Sequence, residues 1–142
     1  DVDLGRTSLQ CGRRNDVLKL FLAWREVGDA GWSRLVDKYM KLAEYLEEIV
    51  NENSSLEMIS SRQWTNVCFR YTADGIDHDQ VNIELRERIM KNGNFMLSRS
   101  NIGDDVILRA VISNPGVSEE SLRQLVEEII THGNEILRGI PF

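Results

Sequence analysis

The sequence predicts an α+β domain, a mostly antiparallel four-stranded sheet covered by helices. Two observations predict it. Apolar spacing starts at threes and fours, changes to alternation, and switches between the two again further along the chain. Breaker residues punctuate these segments: Asp74-Gly75, Asn92-Gly93 and Asn114-Pro115-Gly116.

Residues 1–14 are polar and read as extended. Asp16–Val27 reads as a helix in which Val17, Leu18, Leu20, Phe21, Leu22, Ala23, Trp24 and Val27 are apolar almost all round. Such a helix is expected to be buried on most sides or to lie against another chain. Gly28 ends it. From Asp29 or Ala30 to about Asn51 a longer helix carries one stripe of Trp32, Leu35, Val36, Tyr39, Leu42, Ala43, Leu46, Ile49 and Val50. Asp37, Lys38, Lys41, Glu44, Glu47 and Glu48 fill its other face, which reads as solvated.

The period then changes. Leu56–Ser60 and Thr65–Tyr71 read as strands, with Val67, Phe69 and Tyr71 alternating with Cys68 and Arg70. Asp77 caps the next helix, with Gln80 as its capping-box partner. Val81, Leu85 and Ile89 form that helix's stripe, and Asn92-Gly93 stops it. Phe95–Ser100 and Val106–Ser113 read as two more strands, joined through Gly103-Asp104-Asp105. Ser118 caps a last helix with Glu119 and Glu120 in its first turn, where they suit the dipole. Leu122, Leu125, Val126, Ile129 and Ile130 form its buried face.

Composition bounds the function. The chain has 142 residues, 42% of them hydrophobic and 28% charged, an ordinary globular balance with room for one core. Net charge is −6, from 17 Lys+Arg against 23 Asp+Glu, which argues against nucleic acid as the main partner. No apolar run reaches the roughly 18 residues of a membrane span. The opening Asp1-Val2-Asp3 has neither a Met nor signal-peptide character, so the chain reads as a piece of something longer. Cys11 and Cys68 show no CxxC spacing and read as buried thiols of a reducing, cytoplasmic compartment.

Arg109 is the most informative residue. It lies in Val106-Ile107-Leu108-Arg109-Ala110-Val111-Ile112, with Ile107 and Val111 on its own face and apolar residues on the other. A cation inside such a strand is costly unless an anion meets it. That anion is either a protein carboxylate, in a structural ion pair, or a ligand carboxylate, which suits the guanidinium fork. His78 and His132 share no ligand spacing and read as surface histidines, so no metal site is expected. Ser8, Ser98 and Ser100 lack a nucleophile-elbow setting, and Gly5, Gly12 and Gly28 form no phosphate loop. Trp24, Trp32 and Trp64 read as packing residues.

The phrase Ser8-Leu9-Gln10-Cys11-Gly12-Arg13-Arg14-Asn15-Asp16-Val17-Leu18-Lys19-Leu20-Phe21 resembles one in the group II decarboxylases, the glutamate decarboxylase-like family. The likeness continues at Trp24, Gly28, Gly31, Val36-Asp37 and Leu42-Ala43-Glu44-Tyr45-Leu46. It resumes at Thr65-Asn66-Val67-Cys68-Phe69 and at Leu108-Arg109-Ala110-Val111-Ile112-Ser113-Asn114-Pro115. The resemblance implies the C-terminal portion of a fold type I, aspartate-aminotransferase-like enzyme that is a cytoplasmic homodimer using pyridoxal 5'-phosphate. Residues 1–28 would be a connector segment and helix from a missing large domain, and 29–142 the C-terminal small domain.

By the same resemblance Arg109 binds the substrate's α-carboxylate. The family's Schiff-base lysine sits in a His-Lys dipeptide, which is absent here, and Lys19, Lys38, Lys41 and Lys91 match no cofactor motif. This portion alone would supply no catalytic and no cofactor-binding residue and would be inactive. The cofactor's ring takes up the electrons released as CO₂ leaves. Gln10-Cys11-Gly12-Arg13 is closer to the branch acting on glutamate, aspartate or cysteine sulfinate than to the aromatic-amino-acid branch. The rival class is a non-catalytic module that binds an amino acid through Arg109 or serves as an interaction domain.

Overall fold

The computed structural model describes residues 14–139. The Ser8–Arg13 part of the quoted phrase, with Cys11, lies outside the described residues. The chain divides into two compact units, one ending at Val36 and the other beginning at Asp37.

Helix α1 (Asp16–Asn51) is broken at Gly28, whose φ of 68° and ψ of 168° are non-helical. Only glycine adopts that conformation at low cost. The turns flanking the break are tied together. Trp24 and Trp32 stack with ring centroids 5.6 Å apart, and Trp24 Nε1 donates to Asp29 Oδ1 at 2.6 Å. A Cβ on Gly31 would meet Val27 Cγ1 at 2.7 Å, so any larger residue there would have to displace the Val27 side chain. The burial expected for residues 16–27 is not observed in this chain: Val17, Leu20, Phe21 and Leu22 are each more than half exposed.

The second unit contains β1 (Leu56–Met58), β2 (Asn66–Tyr71), α2 (His78–Asn92), β3 (Ser98–Ile102), β4 (Asp105–Val111) and α3 (Glu119–Leu137). The sheet order is β1-β2-β4-β3, and every neighbouring pair is antiparallel. This is the α+β architecture that the switching period predicts. β3 starts later than expected. Phe95 and Leu97 pack into the core instead of pairing, and the ladder begins where Ser98 faces Arg109.

One face of the sheet carries Leu56, Val67, Phe69, Tyr71, Leu108 and Ala110. It packs on Leu42, Leu46 and Val50 of α1, Val81, Leu85 and Ile89 of α2, and Leu122, Leu125, Val126 and Ile129 of α3. Each of the larger side chains stabilises the fold by about 1.5–3 kcal/mol. Asn82 is the polar exception, fully buried. Its side chain accepts from Tyr71 N at 2.8 Å and donates to the carbonyls of Tyr71 at 2.9 Å and His78 at 2.8 Å, which pins α2 to β2. Asp77, Gly93 and Ser118 cap their helices as expected; Asp77 accepts from Gln80 N without the return bond expected from the Gln80 side chain, whereas Ser121 does return the bond to Ser118.

Two side-chain expectations are corrected. Trp64 is not a packing residue: it is 75% exposed and sits in a Gln63–Asn66 hairpin with φ at 55°. His132 is not a surface residue, for its side chain is only 13% exposed. It follows Ile129 by three positions, which places it at the margin of α3's buried stripe. Its Nδ1 lies 2.9 Å from Glu135 Oε2 and its Nε2 3.9 Å from Glu128 Oε1. Glu135 also meets Arg88 of α2, which holds Glu84 at 2.6 Å. These charges tie α2 to α3. His78 is half-buried, with Nε2 3.0 Å from Thr72 Oγ1.

Candidate functional site

The opposite face of the sheet is built by the alternate strand residues. In register across it stand Glu57 beside Arg70, Cys68 beside Arg109, and Arg109 beside Ser98. Ile107 and Val111 flank Arg109 along β4, as the alternation predicts. Leu42–Val50 of α1, α2 and α3 all contribute to the core on the other face.

Arg109 is exposed, and its guanidinium makes no hydrogen bond or ion pair with any described residue; only its backbone is paired, in the ladders to β2 and β3. The expectation of a desolvated cation therefore does not hold in this chain. Within the strand Ile107 is fully buried, whereas Val111 is half exposed, so the apolar run is not covered throughout. The protein-carboxylate alternative finds no partner among the described residues.

A second arginine on this face is fully engaged. Arg70 Nε and Nη2 reach Glu57 Oε2, both at 2.9 Å, and Nη1 reaches Asp105 Oδ1 at 2.9 Å. Burial works against the Arg70 cation, yet Glu57 and Asp105 outweigh it and hold its pKa above the usual arginine range. The alternation put Arg70 on this face. Its partners were missed because they come from β1 and β4, 13 and 35 residues away.

Cys68, 6% exposed, is a free thiol beneath this face, with Sγ 3.8 Å from Asn66 Oδ1. No group of three metal-ligating side chains occurs among the described residues, and no described helix is long and apolar enough to cross a membrane.

The lysines do not fit a cofactor seat. Lys19 pairs with Asp16 at 3.0 Å and Lys38 donates to the Pro115 carbonyl at 2.7 Å. All four lysines are exposed.

Comparison with known proteins agrees with this architecture. Acidic amino acid decarboxylase GADL1 of Bos taurus is 29% identical over 146 residues, a match covering 94% of this chain and 28% of that protein. Mouse CSAD in apo form superposes with a TM-score of 0.83 at 30% identity, covering 92% of this chain and 30% of that one. Oryza sativa TDC, solved with PLP and tryptamine, gives 0.81 at 27% identity, covering 94% and 30%. The chain thus spans less than a third of each of these relatives. Residues 1–72, just over half of the chain, match the family described as the pyridoxal-dependent decarboxylase conserved domain. The chain belongs to the pyridoxal-dependent decarboxylase family.

Proposed function

We propose that this chain is the C-terminal portion of a pyridoxal-phosphate-dependent amino-acid α-decarboxylase, and that Arg109 binds the substrate's α-carboxylate. The observation that carries this reading is Arg109 itself: an exposed guanidinium on the sheet's outer face with no protein carboxylate among the described residues, in a chain of this family. Its fork matches a carboxylate in geometry and charge. The acidic-amino-acid decarboxylase and CSAD among the relatives favour an acidic substrate such as glutamate, aspartate or cysteine sulfinate.

On this reading residues 1–28 are a connector, 29–142 the small domain of a cytoplasmic homodimer, and the lysine and phosphate seat belong to other parts of the protein. When bound, the cofactor supplies the electron sink for loss of CO₂. Arg109 grips and orients the carboxylate that departs. A grip equally strong on substrate and transition state acts mainly through KM.

The test is decarboxylation by the complete enzyme carrying Arg109→Lys or Arg109→Met, assayed with all three acidic amino acids and with cofactor content followed by absorbance. Lysine keeps the charge and loses the fork, so both variants are impaired. Loss of a charge-assisted contact of this kind costs about 2–5 kcal/mol, roughly 30-fold to several thousand-fold in kcat/KM. Cofactor content stays unchanged. Near-normal kcat/KM in both variants removes Arg109 from the site.

A further inference from the structure

The strand residues of the outer face carry four charged side chains, Glu57, Arg70, Asp105 and Arg109, besides the Cys68 thiol. Both carboxylates are held by Arg70, at 2.9 Å each, and neither by Arg109. The arrangement is asymmetric. One arginine holds two anions and its neighbour holds none among the described residues.

Register makes the two arginines neighbours. Cys68 faces Arg109 and Phe69 faces Leu108, so the next pair brings Arg70 opposite Ile107. Arg70 and Arg109 are then diagonal neighbours on one face, a separation of about 7–8 Å between residues and somewhat less between their Cβ atoms. Asp105 lies four positions before Arg109 on the same strand, about 13 Å away along it. Glu57 stands one strand beyond Arg70.

The Arg70 side chain is only 16% exposed, whereas Glu57 and Asp105 are 48% and 54% exposed. The two carboxylates are thus the solvent-reaching ends of the network, and the half-buried guanidinium fixes where they point. Without it, two mobile anions would share a face with the group proposed to bind an anion.

We infer that Arg70 is a positioning residue for the anion site at Arg109: it sequesters Glu57 and Asp105 and so keeps the Arg109 fork available to the substrate's carboxylate. This rests on the reading of Arg109 given above. Arg70 touches neither substrate nor cofactor. It sets the local charge, which is −1 for the trio of Arg70, Glu57 and Asp105 and becomes −2 when the arginine is lost.

The experiment uses the complete enzyme and whichever of L-glutamate, L-aspartate and L-cysteine sulfinate it turns over. Arg70→Gln raises KM about two- to fivefold, the scale of one or two unit charges at this separation near a surface, and leaves kcat unchanged. The rise shrinks as salt is added. Adding Glu57→Gln and Asp105→Asn to Arg70→Gln, which takes the local charge from −2 to 0, brings KM back to the wild-type value or below it. A purely structural clamp gives the opposite result, because deleting its partners cannot repair a lost strand contact.

Glu57→Gln with Asp105→Asn in the Arg70 background is the second variant, needed in case Arg70→Gln folds poorly. It leaves an unclaimed cation beside Arg109 and lowers KM by a similar factor. Unchanged KM in both the Arg70→Gln enzyme and the double carboxylate variant overturns the inference, as does a KM rise that removal of the carboxylates fails to reverse. Arg109→Met separates this from the underlying reading. If that variant loses substrate affinity while the Arg70 and carboxylate variants behave as wild type, only the role of Arg70 falls. If Arg109→Met binds substrate normally, the anchor itself is wrong and the positioning role falls with it.

Discussion

A Cβ on Gly133 of α3 would lie 2.5 Å from Cδ2 and 2.7 Å from Cζ of the Tyr71 ring on β2. The helix approaches the sheet so closely because this residue has no side chain. Tyr71 is 1% exposed, and its hydroxyl donates to Asn134 Oδ1 at 2.9 Å, one residue further along α3.

Gly133→Ala therefore sets two effects against each other. Alanine improves helix propensity by about 1 kcal/mol, while forcing a methyl against a fixed ring costs typically 1–3 kcal/mol. The contact is with the ring's own atoms, not with the end of a flexible chain, so the clash wins and the melting temperature falls. Tyr71→Leu in the same background relieves it. The double mutant is then less destabilised than the sum of the single changes, which a thermal-denaturation cycle measures.

The same tyrosine gives the fold an alkaline limit. Burial raises the Tyr71 phenol above its ordinary pKa of 10.0. The unfolded chain loses this proton near pH 10 and the native chain loses it later. Unfolding in that window releases a proton, so stability is present below about pH 10 and falls as pH rises toward the native pKa. Urea midpoints measured from about pH 8 to 11 should drop more steeply for the wild type than for Tyr71→Phe. The phenylalanine variant starts about 1 kcal/mol lower, having lost the Asn134 hydrogen bond. Parallel pH profiles for the two proteins would show that Tyr71 does not link proton release to unfolding.

The hairpin joining β1 and β2 holds a removable strain. Trp64 has a φ of 55° with its side chain 75% exposed, and Arg62 fixes the turn by donating to Glu47 Oε2 at 2.8 Å and to the Trp64 carbonyl at 3.2 Å. A non-glycine residue in this region costs about 1–2 kcal/mol. Trp64→Gly should stabilise the chain by about 1 kcal/mol, read as a raised urea midpoint at unchanged m-value. A lowered midpoint would mean that the exposed indole contributes packing energy which outweighs the strain.

Local pattern was legible in the sequence and long-range meeting was not. Alternation through Val67, Phe69 and Tyr71 and the caps at Asp77, Gly93 and Ser118 place β2, α2 and α3 to within a residue or two, because these signals are carried by neighbours in the chain. Arg109 stood out as a cation in an apolar strand, and the strand's parity gave its face correctly. Its exposure was misjudged, since alternation says which residues share a face but not what covers it. Arg70, Asn82 and Gly133 were passed over for one reason: each is explained by a partner on another element. Trp64 and His132 were misplaced because residue type was a poor guide to burial at a hairpin and at the edge of a helical stripe.

The distribution of tryptophans makes the chain its own optical probe. The stacked Trp24 and Trp32 belong to the unit that ends at Val36, and Trp64 belongs to the other. Two indoles at a centroid distance of 5.6 Å couple their transitions and give a paired near-ultraviolet dichroism band, which vanishes once the ring stack opens. Trp64, bathed in solvent, emits at the red edge and is open to collisional quenching by iodide. Loss of the dichroism band while the far-ultraviolet signal of strands and helices holds steady would mark opening around Gly28 before the sheet gives way.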